Sequence, residues 1–140
     1  MKITLAIALC FAVLPTTQAM AATSSQARDV VFALGSGGLK GKKLKKAIEA
    51  AESFPLGSRQ NPVRENMPAG EIAYLSRLRC PDGNSATFSR TGSTGIGPYG
   101  FILDLYKVAC AGADPVDVYI DMYHDGGELR PVPGFSIVAP

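Results

Sequence analysis

Cys80 and Cys110 limit the fold more than any other feature of the chain, because a bond between them must close the chain across thirty residues. The case for that bond starts at the other end of the sequence. Lys2 precedes an apolar run, Ile3–Leu14, which Pro15 ends, and Ala19-Met20-Ala21 has the small-x-small pattern of a signal-peptidase site. Twelve residues make about 18 Å of helix, short of the ~30 Å hydrocarbon core, so the run reads as a cleaved secretory signal over residues 1–21 and not as a transmembrane segment. Cys10 lies inside the run with Leu9 before it, which does not match a lipidation site. Cleavage leaves two of the three cysteines, an even number in an exported chain, and a disulfide is the expected state. The expected location is periplasmic or secreted.

Composition narrows the function classes. The net charge is +2, with 46% hydrophobic and 19% charged residues, far from a disordered chain. One histidine and no tryptophan exclude sites that need two histidines, and no metal ligand set or cofactor motif stands out. Charge divides unevenly. Residues 22–64 hold eight bases and three acids, residues 65–140 five bases and nine acids. Nucleic acid is disfavoured by export and by this acidic second part.

Residues 22–56 read as a basic helical region. Ala27, Val30, Val31 and Leu34 have helical spacing, and Gly35–Gly38 stops that helix. A second helix fits Lys42–Ser53, with Leu44, Ala47, Ile48 and Ala51 along one stripe and Pro55 closing it. Residues 57–140 read as a β-rich domain. Strands are expected over Glu71–Cys80 (Ile72, Tyr74, Leu78 and Cys80 on one side), Ala86–Thr91, Phe101–Cys110, Val116–Asp125 and Phe135–Val138, with Pro81–Asn84 a turn. Val116–Asp125 is the clearest, alternating Val116, Val118, Ile120 and Met122 against Asp117, Tyr119, Asp121, Tyr123 and Asp125. In a simple meander the two cysteine-bearing strands would stand about 9.6 Å apart, beyond the ~6.8 Å that a cystine spans. They are therefore neighbours, or the chain has curled past the sheet at the cysteines. The expected fold is α+β: an N-terminal helical region packed on a small, bent antiparallel sheet or partial barrel, with one disulfide.

Candidate sites follow from residue type and spacing. Gly92–Gly100 spends four glycines and a proline on nine residues, which suggests a presented binding loop with Ser93, Gly95, Gly97 and Tyr99 as contacts. Gly95–Gly100 also matches a dinucleotide-binding pattern, but Pro98 and the β-like run after it deny the required helix. An alternative contact surface is the acidic, aromatic face of Asp117, Tyr119, Asp121 and Tyr123. Ser93, His124 and one of Asp104, Asp121 or Asp125 have the residue types of a hydrolytic triad, without the Gly-x-Ser-x-Gly elbow. His124 shares parity with Val118 and Ile120, which predicts a core-facing imidazole. Lys40, Lys42, Lys43, Lys45 and Lys46 put five charges into seven residues and suggest attraction to an anionic envelope surface or an acidic envelope protein.

The strings Gly57–Arg64, Tyr74–Cys80, Gly97–Gly100 and Tyr119–His124 resemble a group of uncharacterised bacterial exported proteins over about residues 57–138, with no assigned activity. The composition of Ser93–Tyr99 also resembles the Ser/Gly/Tyr loop of small periplasmic lysozyme inhibitors, which are disulfide-bearing β-barrels. A non-enzymatic exported binding or interaction module is the leading expectation. An inhibitor or immunity protein against an envelope enzyme such as a lysozyme comes second, and a hydrolase using His124 third.

Overall fold

The computed structural model describes residues 37–140. The predicted signal and first helix lie outside that range. Alternation in the Val116 segment does make a strand, but a shorter one: β5 (Val116–Asp121), with Val118 and Ile120 buried. Before it come α1 (Gly41–Ala51), β1 (Val63–Arg64), α2 (Met67–Arg77), β2 (Leu78–Arg79), β3 (Thr87–Ile96) and β4 (Ile102–Ala109), and β6 (Ser136–Ile137) follows. The order in the main sheet is β1-β5-β4-β3. β3–β4 and β4–β5 are antiparallel, whereas β1 runs parallel to β5 through Val63↔Ile120. The sheet is thus mixed, not purely antiparallel as expected. Parallel neighbours need a crossover, and here everything from α2 to β4 supplies it. No described helix is long and apolar enough to cross a membrane.

The expected strand over Glu71–Cys80 is the main correction. Its first part is helix α2, with Pro68 in the opening turn, where a missing N–H costs nothing. Glu71, Tyr74 and Leu75 are its buried residues, with Leu78 buried just beyond, a helical spacing. Ile72, expected on the same side as Tyr74, is 46% exposed while Tyr74 is fully buried. Helices therefore do not form an N-terminal pack: α1 matches the second predicted helix, and α2 sits in mid-chain between two strands. Tyr74, Leu75 and Leu78 pack with Val63, Tyr106, Val108, Val118 and Ile120 in the main core.

Cys80 and Cys110 form the disulfide, with Cα atoms 5.8 Å apart. The spacing difficulty disappears because β2 pairs with β6 in a separate two-stranded ribbon. Cys80 follows that ribbon and Cys110 follows β4, so the bond ties ribbon to sheet. Gly57 shapes the entry to β1. Its φ is +85°, its carbonyl accepts from the Tyr119 amide at 2.8 Å, and a Cβ there would meet Val132 Cγ1 at 2.6 Å.

Candidate functional site

β5 ends at Asp121, and the turn after it builds a polar cleft. Asp104 pairs with Ile120, so Asp104 shares the core face of the sheet and Asp121, the next residue of β5, projects from the other. The Tyr123 amide donates to Asp121 Oδ1 at 3.1 Å, and the His124 amide to the Glu65 carbonyl at 3.1 Å. This turn folds the imidazole over the carboxylate: Nε2 lies 3.3 Å from Asp121 Oδ2, in side chains 8% and 0% exposed. The imidazole is buried, as its parity predicted, but beside Asp121 and not on the Val118–Ile120 face, because the strand has already ended. Tyr99 and Phe101 meet the imidazole edge-on at centroid distances of 5.2 and 6.2 Å.

Arg64, carried by β1, forms the cleft's charged wall. It donates to Glu128 Oε2 at 2.7 Å and to the Tyr99 hydroxyl at 3.1 Å. Arg130 joins the same network, reaching Glu128 and Glu52. Burial works to raise the Glu128 carboxyl, but hydrogen bonds from Arg130 and the charges of Arg130 and Arg64 outweigh it and hold it below the usual glutamate range. Glu65 behind them accepts the Glu128 amide at 2.9 Å and is pushed up by burial. A Cβ on Gly127 would approach its carboxylate to 2.8 Å, so this loop position suits glycine. Leu44 and Ile48 of α1 complete a cleft of about 460 Å³ with Arg64, His124, Asp125–Gly127 and Glu128.

A second groove, about 530 Å³, lies on the neighbouring side of α1. Ala47, Ala50, Ala51 and Phe54 form one wall, and Arg59, Gln60 and Ile96–Pro98 the other. Arg59 pins the hairpin side by donating to the carbonyls of Thr94 and Ile96 at 2.8 and 3.2 Å. Lys42, Lys43, Lys45 and Lys46 are exposed along α1, and Lys40 is exposed just before it.

The glycine-rich stretch is distributed among different tasks. Gly92–Ile96 belongs to β3, so the expected nine-residue loop is shorter. Ser93 donates to Asp104 Oδ1 at 2.9 Å beside a bidentate Arg90. Gly95 lies beside Arg59, and Gly97 lines the apolar groove with no room for a Cβ against Leu103. Tyr99 is fully buried, so its ring is not a presented contact. Ser93 pairs with Asp104 in register and so belongs to the opposite sheet face from Asp121. Ser93 and His124 are each committed to a different carboxylate, and no triad is assembled between them.

Nor do the acidic and aromatic residues form one continuous face. Asp117 is exposed and pairs with Lys107, Tyr119 is half-buried, and Asp121 is wholly buried. Tyr123 is 45% exposed and stacks on Phe101 at 5.1 Å. Sequence reasoning missed Arg64, Glu65, Glu128 and Arg130 as site residues, and no spacing rule would have found them, since they meet only through the fold. Among the described residues no cluster of three or more His, Cys, Asp or Glu is placed to hold a metal ion. A scan against protein-family models, a search of curated proteins and a search of solved structures each found no match to this chain.

Proposed function

We propose that the protein is a small exported binding module that takes an acidic protein partner along α1 and the groove beside it. The observation that carries this reading is the lysine row next to an apolar floor. Lys43 and Lys46 stand one turn before Ala47 and Ala50, on the side of α1 that lines the groove, and Arg59 lies across from them. A partner that matches has an apolar anchor ringed by carboxylates, the usual layout of an interface core and rim. A bilayer is a poorer match. The apolar stripe of α1 turns toward the body of the protein, with Ala51 buried and Leu44, Ala47 and Ile48 half-buried, so lysines alone would remain for a membrane.

The test compares the exported protein with a Lys43→Glu/Lys46→Glu variant in capture from envelope extract, alongside titration with vesicles containing anionic lipid. An acidic protein captured by the first, lost with the variant and released by salt supports the reading. Equal capture by both, or binding to vesicles alone, defeats it. Loss of activity in a captured enzyme would make the module an inhibitor.

A further inference from the structure

The cleft at Asp121 and His124 offers chemistry that the lysine row does not use. His124 Nε2 and Asp121 Oδ2 are both sealed from solvent without a hydrogen bond, and they face each other at 3.3 Å. Nδ1 is not among the sealed atoms and makes no hydrogen bond among the described residues, and His124 lines the cleft. A carboxylate against one imidazole nitrogen favours the proton there and leaves the other nitrogen as an acceptor.

The charges around the cleft disfavour an anion, because Asp125 in its lining is exposed and makes no ion pair among the described residues. Arg64 and Arg130 are matched by Glu52 and Glu128. Glu128 already accepts from both arginines and from the amides of Leu129 and Arg130. What stays free is Nδ1, the Asp125 carboxylate as an acceptor at the rim, and the amides of Asp125, Gly126 and Gly127, which donate to nothing among the described residues. Leu44 and Ile48 supply an apolar wall. Hydroxyls that both give and accept hydrogen bonds, next to an apolar C–H face, satisfy this set.

We propose that this cleft binds a neutral polyhydroxylated ligand, a short glycan. One hydroxyl donates to His124 Nδ1, a neighbouring oxygen accepts from the Gly126–Gly127 amides, and the sugar's C–H face rests on Leu44 and Ile48. The volume, about 460 Å³, falls within the roughly 300–1,000 Å³ of small-ligand sites. This site stands apart from the acidic-partner reading and does not rest on it.

His124 is the chain's sole histidine, so its imidazole ¹⁵N resonances report on the cleft without assignment ambiguity. The titrants are N,N′,N″-triacetylchitotriose, maltotriose and cellotriose, all neutral, with acetate and inorganic phosphate as anion controls. The expected result is a saturable displacement of the Nδ1 resonance by at least one trisaccharide, with a smaller change at Nε2. Ile48→Ala should weaken that binding about three- to tenfold, and Lys43→Glu/Lys46→Glu should leave it unchanged. No saturable displacement by any trisaccharide overturns the proposal, as does a response to the anions alone. Equal weakening by the lysine variant would move the ligand out of this cleft and overturn it too.

Discussion

The hydroxyl of Tyr106 donates to Glu71 Oε2 at 2.9 Å, while Oε1 of the same carboxyl, in a residue 1% exposed, has no partner. Burial, opposed in part by that hydrogen bond, pushes the Glu71 carboxyl up to about 7. The native state then holds its proton more tightly than the unfolded chain, whose glutamates titrate near 4.5. Stability from this group is fully present below about pH 4.5 and is lost as pH rises toward 7, by about 3 kcal/mol. Glu71→Gln should flatten that slope and make the protein more stable at about pH 8. Urea unfolding at several pH values checks it, and an unchanged slope in the variant would count against it.

Glu128 behaves in the opposite sense. Its carboxyl lies below the ordinary value, as does that of Glu52, where the hydrogen bond from Arg130 is the main cause. Their contribution is present above about pH 4.5 and lost as pH falls further, so stability should peak on the acid side of neutrality. Glu128→Gln leaves Arg64, 15% exposed, without its closest counter-charge. It should cost about 3–5 kcal/mol at neutral pH and remove much of the acid limb.

Tyr99 should act as a core residue. Its ring is fully buried and its hydroxyl meets Arg64 at 3.1 Å. Tyr99→Ala is expected to cost about 3–5 kcal/mol, and Tyr99→Phe about 1 kcal/mol. Thermal unfolding of the two variants distinguishes them. A neutral Tyr99→Ala would return the ring to the role of a surface contact.

The Cys80–Cys110 bond closes a loop worth about 3.7 kcal/mol in the chain-entropy treatment. Replacing both with Ala should lower stability by about 2–5 kcal/mol. Denaturant melts of the oxidised protein and the double variant measure the difference.

The parts of the fold legible in the sequence are those set by short-range pattern. Alternation marked β5, the apolar stripe marked α1, and the even cysteine count left by the expected signal cleavage pointed to the disulfide. Helix α2 was hidden because the first position of its inward row is Glu71, a carboxylate that breaks the apolar period, while Tyr74 and Leu78 fit either period. The glycine-rich stretch was visible, but not that half of it pairs with β4, since register depends on the partner strand. His124 was legible as a strand-end residue. Its pairing with Asp121 was not, because the direction of a turn depends on contacts such as the one from its amide to Glu65. Arg64, Tyr99, Glu128 and Arg130 come from separate segments, and nothing local marks any of them as neighbours.

The parallel pairing of β1 with β5 also sets an order of events. Hairpins β3–β4 and β4–β5 close over short loops, whereas Val63 reaches Ile120 only across nearly the whole intervening chain, at a larger entropic cost. β1 should therefore seat late, with φ-values near zero at Val63 and higher ones at Tyr106. A chain that emerges from its N-terminal side presents Arg64 long before Glu128 exists to receive it. Until then the guanidinium stays hydrated, the wall it will form is missing, and the nascent protein has its hairpins but no cleft.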